Sequence, residues 1–307
     1  MVTQFSFPVV PRSRRSALKT LLAAGVCSAM PMMRPTRLSA SQTAETARAL
    51  KKLGWNLACQ LYTFRRFSFY EAIEKIAALS ITAVEPCFFL PLDARQPGLV
   101  TSEALPPDKR AEMRQKMAQL GITMPNFYAN LGNDQDQARK VFSFAKEMGC
   151  QTVVAEPPAD SLPMLDELLA EYDLTLAIHN HPQSPSSHYW HPKNVLGAVE
   201  KRSHRIGACA DTGHWIRSGL DPVACLKLLE GRIITLHLKD VAEFGVVDSR
   251  DVPLGTGAAH YDRVLEELAR QNFRGVMTIE YEHDSPQLLE DVAKCRDFVI
   301  NWAVQHA

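Results

Sequence analysis

From about Leu53 onward, short apolar runs of strand length give way to longer stretches in which apolar positions return every three or four residues, and this alternation repeats eight times. The strand-like runs centre on residues 57–61, 83–85, 124–128, 152–156, 175–179, 207–211, 233–237 and 276–280. Between them the 3.6-residue period is plain: Tyr261, Val264, Leu265 and Leu268 share one helical face, as do Leu288, Val292, Cys295 and Val299 on the last helix. Start signals agree with this division. Ser68 with Glu71 forms a capping box ahead of Ala72, Ile73 and Ile76, while Asp221-Pro222 and Ser285-Pro286 each place a cap residue before a first-turn proline. Eight units of about 31 residues match the spacing of a (β/α)₈ TIM barrel. An open, doubly wound α/β sheet is the alternative; it calls for a glycine-rich turn after the first strand, and Leu61-Tyr62-Thr63-Phe64 has no glycine.

The ends of the eight strands carry the chemistry. The last inward candidate on each is, in order, Gln60, Glu85, Asn126, Glu156, His179, Asp211, His237 and Glu280, all polar or ionisable after an apolar run. In a barrel these positions face one another, and so many ionisable groups in one place cost desolvation energy unless a metal or substrate offsets it. His179, Asp211, His237 and Glu280 come from four consecutive strands, the fifth to the eighth. Two imidazoles and two carboxylates suit one divalent ion such as Mn²⁺, Zn²⁺, Co²⁺, Fe²⁺ or Mg²⁺, whose free positions can bind a carbonyl and a neighbouring hydroxyl. A base beside such an ion can remove the proton α to the carbonyl. Glu156, His181 and Glu280 itself are the candidate bases; His181 stands two residues past His179 and shares its side of the strand. Gln60, Glu85, His214 and Lys239 are candidates for substrate contact. His214 with Trp215 offers a hydrogen bond and an apolar face to a sugar ring, or anchors a loop. Lys239 offers a cation for a substrate oxygen, or pairs with Asp240 at the surface. The glycines of the 253–257 loop read as a turn, not as a phosphate cradle. No Gly-x-Ser-x-Gly elbow supports a serine hydrolase.

Charge and composition sharpen the substrate class. The 307 residues hold 34 Lys and Arg against 34 Asp and Glu, but the first forty hold six basic residues and no acid. Ser13-Arg14-Arg15-Ser16-Ala17-Leu18-Lys19, the apolar stretch 21–29 and the small residues 38–40 are similar to a twin-arginine export signal, which predicts a signal over 1–40, a linker over 41–52 and a barrel over 53–307 in a periplasmic protein. Without that segment 28 basic residues face 34 acidic ones, a net charge near −6. That balance argues against nucleic acid as a partner, and no apolar run reaches membrane-spanning length, which predicts no stable membrane anchor. Six cysteines remain, spaced too widely for metal clips and set in apolar runs, as buried free thiols would be.

The segment from Arg205 to His214, His237-Leu238-Lys239-Asp240-Val241, the 252–257 stretch, Ile279-Glu280-Tyr281-Glu282, Gln60 to Arg65 and Val84-Glu85 together resemble the xylose isomerase-like TIM-barrel superfamily of sugar phosphate isomerases and epimerases, over about residues 53–304. The resemblance implies a divalent metal on His179, Asp211, His237 and Glu280, and enolisation of a keto-sugar leading to isomerisation or epimerisation. Ketose epimerases of this superfamily carry a glutamate at the fifth strand; here it is His179, so the two-glutamate mechanism lacks one of its bases. The Ala-Ile-His-Asn-His variant resembles members associated with 3-keto-sugar chemistry, including eliminative cleavage of 3-keto-glycosides by a lyase or hydrolase. Two other readings stay open: an endonuclease IV-like phosphodiesterase, and a non-catalytic periplasmic sugar-binding barrel. Export favours a free or glycosidic keto-sugar over a sugar phosphate as the small-molecule partner, and an oligomer is compatible with all of these.

Overall fold

The computed structural model describes residues 40–307; residues 1–39 of the expected export segment lie outside them. The first described element is α1 (Ala40–Leu53), where a linker was expected. The correction has a local cause: the segment is rich in alanine and other strong helix formers, and Lys51 and Lys52 sit in its last turn, where they oppose the helix dipole. Its Ala49 is buried, and the helix packs along the C-terminal helix.

All eight expected strands form, within a residue or two of their predicted bounds: β1 (Trp55–Gln60), β2 (Val84–Glu85), β3 (Asn126–Tyr128), β4 (Thr152–Ala155), β5 (Thr175–His179), β6 (Ile206–Asp211), β7 (Ile233–Leu238) and β10 (Gly275–Ile279). They make one parallel sheet in the order β2-β1-β10-β7-β6-β5-β4-β3. The seam between β2 and β3 is closed by isolated parallel bridges, Ala83 to Thr123 and Cys87 to Tyr128, so the eight strands form a nearly closed barrel. These two strands are short because Pro86 and Pro125 each remove a backbone donor at their ends.

The helices between strands are α2 (Phe69–Ala78), α3 (Pro107–Leu120), α4 (Gln135–Met148), α5 (Leu162–Tyr172), α6 (Pro192–Val199), α8 (Pro222–Leu228) and α9 (Tyr261–Arg270), with α10 (Leu288–His306) closing the chain. The Ser68–Glu71 capping box is present in full, and Asp221 caps α8 ahead of Pro222. Ser285-Pro286 does not cap α10. Gln287 holds that place, and Ser285 Oγ accepts the Gln287 N–H at 3.2 Å, so the signal marks a turn just before the helix. Two elements were not foreseen: the short helix α7 (Thr212–Arg217), and a ribbon of β8 (Asp240–Val241) paired antiparallel with β9 (Asp251–Val252). Both follow strands at the C-terminal end of the barrel.

Side-chain alternation sorts the strands into two environments. Leu176, Ile178, Met277 and Ile279 point outward into the main core beneath the helices, while the barrel floor is filled by small inward residues, Ala58, Ala83 and Val276 on one side and Val154, Ala177 and Cys209 on the other. The six cysteines are buried free thiols. No helix among the described residues is long and apolar enough to cross a membrane.

Candidate metal centre at the barrel mouth

His179 and Asp211 end β5 and β6, His237 lies one residue from the end of β7, and Glu280 follows β10 directly. All four are buried, and one ligand atom from each lies within 4.8 Å of the others. His179 Nε2 is 3.5 Å from Asp211 Oδ2, and His237 Nδ1 is 3.0 Å from Glu280 Oε2 and 3.9 Å from Asp211 Oδ2. None of these four atoms, His179 Nε2, Asp211 Oδ2, His237 Nδ1 and Glu280 Oε2, makes a well-formed hydrogen bond, and the two carboxylate oxygens have only the Lys239 ammonium at ion-pair distance. A buried polar atom left unpaired costs about 1–3 kcal/mol; the two imidazole nitrogens carry that cost here, and with the two carboxylate oxygens they converge in an arrangement that could hold a cation. Two nitrogens and two carboxylate oxygens fit a divalent ion of intermediate hardness.

The far side of each imidazole is braced by a carboxylate. His237 Nε2 lies 2.7 Å from Glu85 Oε1, and His179 Nδ1 lies 3.3 Å from Glu156 Oε1. A carboxylate on one ring nitrogen holds the proton there and leaves the other nitrogen's lone pair facing the cluster. Glu85 is saturated: Oε1 also accepts from Gln60 Nε2 at 2.8 Å, and Oε2 accepts from Asn126 Nδ2 at 3.0 Å and Thr278 Oγ1 at 3.4 Å. Gln60 Oε1 in turn accepts the Tyr62 N–H at 3.0 Å. Gln60 and Glu85 were expected to touch substrate. Instead they are enclosed beneath the cluster, and the sheet register gives the reason. Gln60 pairs with Glu85 and, one residue past the Cys59–Ile279 pair, stands level with Glu280. Because the strands tilt, each such row spirals around the barrel, and its β1–β2 end lies deeper than its β7 end.

At the open side, Glu156 and His181 form a pair with Nδ1 to Oε1 at 2.7 Å, and Tyr128 donates its hydroxyl to the same oxygen at 2.8 Å. The His181 side chain is 47% exposed and that of Glu156 24%. Burial would raise the Glu156 carboxyl, but the hydrogen bonds from His179 and His181 outweigh it and hold the group well below the usual carboxylate range. With Nδ1 committed to Glu156, His181 Nε2 is the nitrogen left to take a proton.

Lys239 closes the opposite side. Its ammonium has no exposure and lies 3.1 Å from Asp211 Oδ2, 3.0 Å from Glu280 Oε2, 3.0 Å from Glu282 Oε1 and 3.3 Å from His214 Nε2. Gly213 makes room for it, since a Cβ there would collide with the Lys239 stem. Burial opposes the charge, but Asp211, Glu280 and Glu282 together keep the ammonium protonated well above its usual range. Burial likewise opposes ionisation of Glu280, yet Lys239 and His237 bring it down to about 2. A surface pair between Lys239 and Asp240 does not form. Consecutive strand residues point to opposite sides, and the buried Asp240 carboxylate accepts the backbone N–H groups of Val241, Gly255, Gly257 and Ala259 at 2.9–3.1 Å. The 253–257 loop is thereby a turn wrapped around a carboxylate; a Cβ on Gly257 would collide with Asp240.

His214 is buried beside the cluster because Asp211 does two jobs. Its Oδ1 caps α7 by accepting the His214 N–H at 2.9 Å, which turns the ring back over Oδ2 at 3.5 Å. Trp215, expected to offer a face to a sugar, packs into the core instead. Three residues that the sequence reading missed complete the wall: Arg217 Nη1 donates to Glu282 Oε2 at 2.8 Å, and Nη2 lies 2.5 Å from Asp251 Oδ1. Glu282 was within reach of the period-two argument, two residues past Glu280. Arg217 and Asp251 sit on α7 and the ribbon, which no periodicity announced.

The sequence profile described as xylose isomerase-like TIM barrel matches residues 73–298. The chain belongs to that family. Among curated proteins it is similar to the rhizopine catabolism protein MocC of Rhizobium meliloti, 31% identical over 137 residues that cover 40% of this chain and 41% of that protein. It is also similar to inosose dehydratase of Bacillus anthracis, 27% identical over 161 residues covering 47% of this chain and 53% of that one. The chain thus spans about half the length of the curated relatives it matches. Among solved structures, an uncharacterised protein of Parabacteroides distasonis is 32% identical, with a TM-score of 0.64 over 80% of this chain and 98% of that one. A family member from Mycobacterium smegmatis, solved in complex with magnesium, shares the fold with a TM-score of 0.67 at 12% identity, over 82% of this chain and 97% of that one.

Proposed function

We propose that this protein is a divalent-metal-dependent enzyme that enolises a keto-sugar or keto-cyclitol and completes the reaction by β-elimination, as a dehydratase or a glycoside lyase. His179, Asp211, His237 and Glu280 would hold the ion, whose chemistry would be to polarise the substrate carbonyl. The observation that carries the reading is the asymmetry of the groups around them. On the open side stands a proton acceptor, His181 Nε2, oriented by Glu156; on the other stands the buried Lys239 ammonium, held by three carboxylates, which presents positive charge and accepts no proton. An epimerase needs acceptors on both faces of the substrate carbon. An acceptor on one face and a fixed positive charge on the other suit loss of the α-proton to His181 and departure of the β-oxygen on the Lys239 side, where it takes up a proton from solvent, leaving an α,β-unsaturated ketone and a free alcohol or water. Gln60 and Glu85 position His237 and do not reach substrate. Similarity to an inosose dehydratase supports the same class. The phosphodiesterase reading is less well supported, since the second strand offers no histidine and its Glu85 is saturated by bonds from Gln60, Asn126, Thr278 and His237.

The test is a comparison of chelated and metal-reconstituted protein in deuterated solvent, with inososes, 3-keto-glucosides and simple ketoses as substrates. Metal-dependent deuterium uptake α to the carbonyl, with release of the β-substituent, is expected for at least one class, together with loss of bound metal in Asp211→Ala and His237→Ala. Epimer formation without elimination would refute the lyase assignment, and full metal occupancy in both variants would refute the site. We also propose export to the periplasm, tested by the N-terminal residue of the protein recovered from that compartment.

A further inference from the structure

The barrel mouth adjoins a hollow of about 610 Å³ that none of the four cluster residues lines. Its walls include Tyr62 and Arg65 after β1, Arg217 on α7, Asp248 and Arg250 between β8 and β9, and Glu282 after β10. Glu282 is the link to the cluster: its Oε1 lies 3.0 Å from Lys239 Nζ, which lies 3.0 Å from Glu280 Oε2. The volume is within the range of small-molecule sites, roughly 300–1,000 Å³, and it is additional to the space directly over the cluster.

The lining chemistry selects the occupant. Arg65 donates to the backbone carbonyls of Tyr62 and Glu282, at 3.2 and 2.8 Å, and its guanidinium lies 4.7 Å over the Tyr62 ring. Arg250 is exposed, and Asp248 is exposed beside it. With Arg66, Asp251 and Asp284, four arginines and four carboxylates thus line the hollow together. A ligand with a net charge would meet like charge wherever it bound, whereas a neutral polyhydroxylated ring can donate to the carboxylates, accept from the guanidiniums and lay its C–H face on the exposed part of Tyr62.

We propose that this hollow is a second sugar subsite, holding the ring on the leaving-group side, so that the substrate is a keto-disaccharide or larger keto-glycoside and not a free keto-monosaccharide. The inference rests on the eliminative reading above. In that reaction the departing oxygen lies on the Lys239 side, and a ring attached to it lies next to Glu282, where the hollow begins.

Isothermal titration of the manganese-loaded protein with unoxidised glucose, cellobiose and maltose needs no turnover and so separates the subsite from the reaction. At least one disaccharide should bind about tenfold or more tighter than glucose, and Tyr62→Ala and Arg250→Gln should each remove about threefold or more of that gain, with metal content as the control for folding. Affinities for glucose and both disaccharides within about twofold of one another, or no binding by either disaccharide, overturn the subsite. So does a disaccharide preference that survives both substitutions. A preference that responds to the substitutions, found in a protein that eliminates from none of the corresponding keto-sugars, upholds the subsite and refutes the chemistry.

Discussion

Replacing Glu85 by glutamine changes one oxygen to an amide nitrogen in a wholly buried position, and the consequence can be worked out from its partners. Glu85 receives bonds from the Gln60 amide, the Asn126 amide, the Thr278 hydroxyl and His237 Nε2. The Gln60 and Asn126 amide nitrogens can only donate, and His237 Nε2 is the donor in the tautomer that turns the Nδ1 lone pair to the cluster. A glutamine amide in either orientation sets a donor against a donor. If it faces Asn126, one bond to the carboxylate is lost and the Asn126 donor keeps only Thr235; if it faces His237 and Gln60, two bonds are lost. The smaller loss combines about 1.5 kcal/mol or more for a bond to a carboxylate with about 1–3 kcal/mol for an unsatisfied buried group, so the metal-free protein should lose at least about 3 kcal/mol. For a domain of this size that lowers the melting temperature by roughly 6–12 °C. Metal affinity should also fall about 10–100-fold, since the brace that orients His237 loses its charge. Calorimetry of the metal-free protein and competition against a fluorescent chelator read the two effects separately. A variant with unchanged melting temperature and unchanged metal affinity would refute the claim that Glu85 braces His237.

Lys239→Met leaves Asp211, Glu280 and Glu282 facing one another without a cation; the metal-free protein should lose about 3–5 kcal/mol, and added Mn²⁺ should raise its melting temperature by more than it does in the wild type. A smaller metal-induced rise in the variant would contradict the picture. Burial, reinforced by Lys239 and opposed by Asp211, pushes His214 from 6.5 down to about 3. The folded state therefore keeps it neutral where the unfolded chain binds a proton, so its contribution to stability is complete above pH 6.5 and is lost as pH falls toward 3. In the metal-free protein the stability advantage of wild type over His214→Gln should shrink over that window by up to roughly 1.4 kcal/mol per pH unit; a difference independent of pH would refute a buried neutral His214. Asp240→Asn removes one of the two oxygens that accept the four backbone N–H groups, and hydrogen exchange at Gly255, Gly257 and Ala259 should accelerate by at least about tenfold, for a loss of at least 1.4 kcal/mol of local protection. Unchanged exchange at all three amides would show that the carboxylate does not organise the loop.

The barrel and the four converging residues were legible because both rest on local periodicity. Val276, Thr278 and Glu280 must share a face whatever the strand pairs with, and the same holds for Thr235, His237 and Lys239. Eight such strands, each ending in a polar residue, leave little freedom in where those residues go. The helix starts at Ser68 and Asp221 were legible for a similar reason, since a cap and its partner lie within four residues. At Ser285 the same signal misled by two positions, because a serine ahead of a proline also stabilises a turn.

What the sequence alone determined, then, was direction: which side chains point into the barrel, and that His179, Asp211, His237 and Glu280 lie at one end of it. Depth and partnership were decided only by the tertiary structure. Gln60 and Glu280 stand in one row of the sheet, yet Gln60 is sealed under the cluster and Glu280 faces it. The tilt that closes the barrel makes each row climb from β2 toward β7, and no property of a single strand records that climb. Lys239 and Asp240 are neighbours in sequence, but one joins the carboxylates of the mouth and the other gathers backbone amides from 15 to 19 residues away. A side chain's facing is set by its own backbone. What it meets is set by the closure of all eight strands, and at this site those meetings separate the residues that can hold a cation from those that brace them.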